Sequence, residues 1–172
     1  MAKVATADQV DREQLLEFVR TRHKGTLVTT RRDGRPQMSP VACGVDEQGR
    51  VVVSTYPERA KAVNARRDPR VSILIHSDDW DDPYVQVDGT AEVLDLPEAL
   101  EPLVDYFLCI AGEHPDWDEY RAAMREQDKS LIRITIERWG PVATGGFPPA
   151  GSDPANRSGA RSARLALGRS EC

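Results

Sequence analysis

The chain has 172 residues, 40% of them apolar and 30% charged, which fits one domain with a hydrophobic core and excludes a wholly disordered protein. The formal net charge of −5 argues against non-specific nucleic-acid binding. No apolar run approaches the roughly 20 residues of a membrane span, and the opening MAKVATADQVDREQ has one early Lys with no apolar stretch behind it, so neither a membrane nor a secretory role is expected and the predicted location is cytoplasmic.

Residues 8–23 read as an amphipathic helix: Asp11 and Gln14 form a capping pair, and Leu15, Leu16, Phe18 and Val19 recur at helical spacing before Gly25. A short β-branched strand, 26–31, and the run QMSPVACGV, 37–45, flank the hairpin signal Asp33-Gly34. Pro40 cannot donate to a ladder, so its strand is predicted at a sheet edge or a bulge. A third strand covers 51–55. Pro57 then opens a helix that runs to about Arg67, where Asp68-Pro69 stops it. Residues 71–76 form a buried strand, 77–82 an acidic loop, and 84–94 a long strand with Gly89 as a bulge or bend. Helices follow from Pro97 to about Ala111 and again after His114-Pro115, and the last strand covers 131–136. The predicted organisation is one domain over 1–145 and a flexible Gly, Pro, Ser and Arg-rich tail over 146–172. About six strands, the early ones joined by hairpins, with flanking helices give a mainly β, α+β fold closing into a six-stranded antiparallel barrel.

The three cysteines, Cys43, Cys109 and Cys172, are far apart, and so are His23, His76 and His114. Neither a disulfide framework nor a metal site is expected from that spacing. GxGxxG, GxxxxGK[ST] and GxSxG are all missing. The carboxylates Asp78, Asp79, Asp81 and Asp82 sit in one loop and read as solvated, which leaves hydrolytic or covalent catalysis with no constellation. One basic island stands out in this acidic chain: Arg59, Lys61, Arg66, Arg67 and Arg70, where a strand gives way to a helix. Free N–H groups and the positive end of the helix dipole suit an anion there, with Ser54, Thr55 and Asn64 as further polar groups. The same residues also fit a solvated basic helix with i,i+4 ion pairs, and spacing alone leaves both readings open. In Pro36-Gln37-Met38-Ser39-Pro40, Gln37 and Ser39 share one strand face. That strand could read the polar edge of a planar ring or could be a plain edge strand.

DGRPQMSPV, VVVSTYPERAKAVNARRDPRVSILI, YVQVDGTAEV and YFLCIAGEHPDWDEYRAAM, in that order, resemble the pyridoxamine 5′-phosphate oxidase-like split β-barrels of the flavin-reductase type. The likeness covers roughly residues 10–140 and is nearest to the actinobacterial branch that uses the deazaflavin coenzyme F420. The resemblance implies a homodimer with cofactor sites at its interface. It puts Arg59, Lys61 and Asn64 on the cofactor's phosphate side and has Ser54 and Thr55 lining the same pocket. Pro36, Gln37, Met38, Ser39 and Pro40 would lie along the ring system, and Trp80 to Tyr84 would come from the partner subunit. The implied activity is hydride transfer from reduced F420 to a conjugated small molecule, borne by the cofactor and not by catalytic side chains. FMN on the same barrel, or a non-catalytic flavin or F420 carrier, are the alternatives. The Arg-rich substrate motif of true pyridoxamine-phosphate oxidases has no counterpart on a final strand, which argues against vitamin B6 oxidation.

Overall fold

The structure, a computed structural model, describes residues 5–145. The tail predicted over 146–172 lies outside the described residues. The elements run β1 (Ala7–Asp8), α1 (Arg12–Arg20), β2 (Lys24–Thr30), β3 (Pro36–Ala42), β4 (Gly44–Val45), β5 (Val51–Thr55) and α2 (Ala60–Arg67). They continue with β6 (Arg70–His76), β7 (Val85–Leu94), α3 (Leu100–Ala111), α4 (Trp117–Glu126), β8 (Ser130–Trp139) and β9 (Val142–Ala143).

Seven strands form one antiparallel sheet in the order β3-β2-β6-β7-β8-β5-β4. Strands β3 and β4 occupy opposite edges, yet only Cys43 separates them in the chain. So short a connection forces the sheet to curl until its edges approach, and β3 comes close to β5 across the gap. The result is a split half-barrel. At the join, Gly44 lies so near α3 that a Cβ there would sit 2.8 Å from the Cys109 Cβ.

Alternation places the core. Leu27, Ile73, Ile75, Val85, Val87, Ile132 and Ile134 point into the barrel, where Leu15 and Val19 of α1 meet them. Each such residue contributes about 1.5–3 kcal/mol over exposure. A second cluster packs α3 and α4 on the outer side of β5 and β8, with Leu103, Tyr106, Tyr120 and Met124 against Val52 and Leu131.

The predicted fold class holds, with local differences. The run 37–45 is two strands instead of one, which raises the main sheet from six strands to seven, and β1 pairs with β9 as a separate ribbon. Helix α2 starts at Ala60, because Pro57 lies in a turn closed by the Arg59 N–H on the Tyr56 carbonyl and Arg59 is still extended. Pro40 is on an edge strand, and the β7–β8 register shifts at Asp88/Gly89, both as the sequence predicts.

Candidate functional site

The site grows from the gap between the sheet edges. Strand β4 pairs only with Val51 and Val52, so the second half of β5 has no strand hydrogen-bonded to it on that side. Ser54 is half-buried there, and the buried Thr55 keeps an Oγ1 without a hydrogen-bond partner. The chain then turns into α2. Its N-cap, Arg59, makes no side-chain capping bond, and its first turn holds no acidic residue, so the positive helix end is uncompensated from within.

Three cations converge at this end: Arg59, Lys61 and Lys129. The Arg59 guanidinium stands 5.8 Å from the Tyr56 ring centroid, and the Lys129 ammonium 3.7 Å from it. Burial, then repulsion from Arg59 and Lys129, holds the Lys61 ammonium below the ordinary lysine pKa. Among the described residues none of the three has a carboxylate partner. The rest of the basic island differs. Arg66 donates to the Pro57 carbonyl at 2.8 Å and to Asp95 at 2.5 Å, Arg67 to the Thr30 carbonyl and Asn64, and Arg70 to both oxygens of Asp68 at 2.9 Å. The five-residue island of the sequence thus reduces to two cations open to a ligand, joined by Lys129 from outside it.

Pro40, Ser54, Lys61, Tyr106, Tyr120 and Lys129 help line a cavity of about 400 Å³ in the split. A larger one, about 870 Å³, lies beside it with Lys24, His76, Trp80 and Tyr84 on its walls. Residues Pro40, Val41 and Ala42 of β3 line both. Of the sequence-derived site residues, the fold therefore gathers Pro40, Ser54 and Lys61 in one cavity and Pro40, Trp80 and Tyr84 in the other. Trp80 is 90% exposed and Met38 62%.

Pro36, Gln37, Met38, Ser39, Thr55, Arg59 and Asn64 line neither cavity. Three of them belong to a hydrogen-bond relay behind the site. Asn64 Nδ2 donates to Thr29 Oγ1 at 3.1 Å, Thr29 Oγ1 to Gln37 Oε1 at 2.9 Å, and Gln37 Nε2 to Ser39 Oγ at 2.7 Å. Sequence reasoning missed Thr29, Tyr56 and Lys129. Counting outward from a two-residue Asp33-Gly34 turn pairs Thr29 with Met38; the turn instead holds three residues, 32–34, closed by the Arg31 N–H on the Arg35 carbonyl, and the register pairs Thr29 with Gln37. Lys129 carries no local signal, because only the pairing of Thr55 with Ser130 brings it here.

Burial pushes the Cys43 thiol up to about 12, so it offers no thiolate. Among the described residues no His, Cys, Asp and Glu cluster could hold a metal ion, and no helix is long and apolar enough to cross a membrane.

A split antiparallel β-barrel with a cation-lined cleft between its edges defines a small-ligand-binding class. The chain belongs to the pyridoxamine 5′-phosphate oxidase family, whose family model matches residues 11–143. The family includes flavin- and F420-binding oxidoreductases. Among solved structures the chain is similar to a conserved hypothetical protein from Mycobacterium tuberculosis, at 27% identity and TM-score 0.67, covering 86% of this chain and 96% of that one. An F420 reductase matches at 21% identity and TM-score 0.55, over 72% of this chain and 94% of the other. A heme binding protein from Mycobacterium smegmatis matches at 21% identity and TM-score 0.56, over 81% of this chain and 56% of that one.

Proposed function

We propose that this protein is an oxidoreductase that binds reduced coenzyme F420 and supports hydride transfer to a conjugated small molecule. One observation carries the reading. Arg59 and Lys61, at an uncapped helix start, have no anionic partner of their own, while Arg66 and Arg70 are paired with Asp95 and Asp68 and Arg67 is taken up by the Thr30 carbonyl and the Asn64 amide. Clustered cations that repel one another, as Lys61 registers, are what a phosphate-bearing ligand would stabilise.

When bound, the deazaflavin supplies the hydride. The chain's own residues bind and orient. Arg59 and Lys61 would hold the phosphate, with Ser54 and Thr55 behind them. Residues Pro36 to Pro40 would run along the ring, and Pro40 to Ala42, shared by the two cavities, would connect the phosphate side to a substrate chamber. The exposed Trp80 and the half-buried Tyr84, on the wall of the larger cavity, would serve a homodimer whose partner completes the site. The F420 reductase among the structural neighbours and the motif resemblance support F420 as the cofactor.

The internal pairing of Arg66, Arg67 and Arg70 favours a second reading. With so few cations open to a ligand, the single phosphate of FMN fits the same cleft. Titration of the purified protein with F420 and FMN, followed by cofactor fluorescence, separates the two. Tight FMN binding with no affinity for F420 would sink the first. If neither reduced cofactor is oxidised across a broad panel of acceptors, a carrier role takes its place.

A further inference from the structure

We propose that Lys129 is a third ligand of the phosphate or phosphate ester held at the β5–α2 turn, delivered by the α4–β8 turn and held on the Tyr56 ring while the site is free. The proposal rests on the anion reading of that turn and adds a residue from a distant part of the chain.

The backbone fixes where Lys129 starts. Helix α4 ends with the Lys129 N–H on the Met124 carbonyl and the Asp128 N–H on the Arg125 carbonyl, both at 3.1 Å. Asp128 takes φ 48° between them. This is the 6→1 and 5→2 pairing of a Schellman cap, which sets the chain direction at its last residue. Ser130 then enters β8 opposite Thr55 and donates to Asp95 at 2.5 Å. Lys129 is therefore anchored on both sides.

Its side chain goes to the cleft. Lys129 is half-buried, lines the smaller cavity together with Ser54 and Lys61, and has no carboxylate partner among the described residues. Its ammonium lies over Tyr56, where the ring face offsets some of the repulsion from neighbouring cations. A lysine with a purely structural role would be expected to seek an acid or bulk water. This one faces two other cations, an arrangement that a bound anion relieves.

The test is calorimetric titration of wild type, Lys61→Gln, Lys129→Gln and Lys129→Arg with inorganic pyrophosphate, FMN and riboflavin, alongside thermal unfolding of each free protein. Lys129→Gln is expected to weaken pyrophosphate and FMN about tenfold or more and to leave any riboflavin binding unchanged. Lys129→Arg should restore most of the loss. The unfolding midpoint of free Lys129→Gln should stay level or rise, because a repulsion is removed. The inference is overturned if Lys61→Gln weakens pyrophosphate while Lys129→Gln does not, or if Lys129→Gln lowers the midpoint and weakens riboflavin as much as FMN. Lys129-dependent pyrophosphate binding without any F420 binding would sustain the inference and sink the F420 reading. If wild type binds none of pyrophosphate, FMN and F420, both fall.

Discussion

Asn64 on α2 donates its side-chain N–H to the Thr29 hydroxyl on β2 across 3.1 Å, and the two residues are 7% and 1% exposed. The Asn64 oxygen accepts from the Arg67 guanidinium at 3.2 Å. Both ends of the amide thus have partners within the chain, and the contact fastens α2 to the barrel wall. Thr29 passes the order on to Gln37 of the edge strand. Asn64→Ala should cost about 1–3 kcal/mol of stability through the lost buried bonds, read as a shift in the urea midpoint. Cofactor affinity should fall less than for Lys61→Ala, because Asn64 acts through Gln37. A loss of affinity with no loss of stability would put the amide on the ligand itself.

Among the described glycines, Gly89 makes the tightest approach. A Cβ at that position would stand 2.1 Å from the Thr135 carbonyl oxygen and 3.0 Å from an Ile134 methyl. The obstacle is backbone in the middle of β8, so no rotamer change can clear it. Gly89→Ala is expected to destabilise by about 3 kcal/mol or more. Chemical denaturation checks this, and a near-neutral result would mean that β7 and β8 can part at the bulge.

Lys61 gives the anion site a pH signature. Its pKa in the free protein lies below the ordinary 10.5, so between the two values the unfolded chain binds more protons than the folded one. Stability therefore rises with pH across that window as Lys61 loses its charge. Anion binding favours the charged ammonium and works in the opposite sense, so pyrophosphate affinity should begin to fall at a pH below 10.5. Lys61→Arg keeps its charge throughout and should flatten that fall. Identical affinity profiles for the two proteins, measured from neutral to alkaline pH, would show that another group titrates.

Features set by short stretches of chain were legible. Asp11 and Gln14 form the reciprocal capping box that their spacing suggests, Pro40 marks an edge strand, and Gly89 marks the bulge. The anion-suited turn also stood out, because strand end, helix start and basic residues are contiguous. Features that depend on closure were not legible. The break at Cys43 exists because β3 and β4 belong to opposite sheet edges, and nothing local in QMSPVACGV announces it. Lys129 reaches Tyr56 only through the β5–β8 pairing. The fate of the arginines was equally hidden: the partner of Arg66, Asp95, is 29 residues away.

That last point yields a prediction about charge counting. Arg70 lies next to the site in sequence, and a reading by composition would count it as a phosphate ligand. The fold turns it onto Asp68 instead, with Nε and Nη2 each 2.9 Å from a carboxylate oxygen. That contact holds the Asp68 carboxyl down at about 2, so the pair stays formed at neutral pH. The arginine is exposed, where such pairs add little to stability. Arg70→Ala should therefore leave both the unfolding midpoint and cofactor affinity nearly unchanged, within about twofold, a fraction of the 1.4 kcal/mol that a tenfold change requires. Lys61→Ala in the same titration should lose about tenfold or more. The contrast tests the geometry directly, since both substitutions remove one positive charge from the same stretch of chain. Equal losses would mean that the cleft responds to the net charge of the basic island, and the assignment of individual ligands would fall with it.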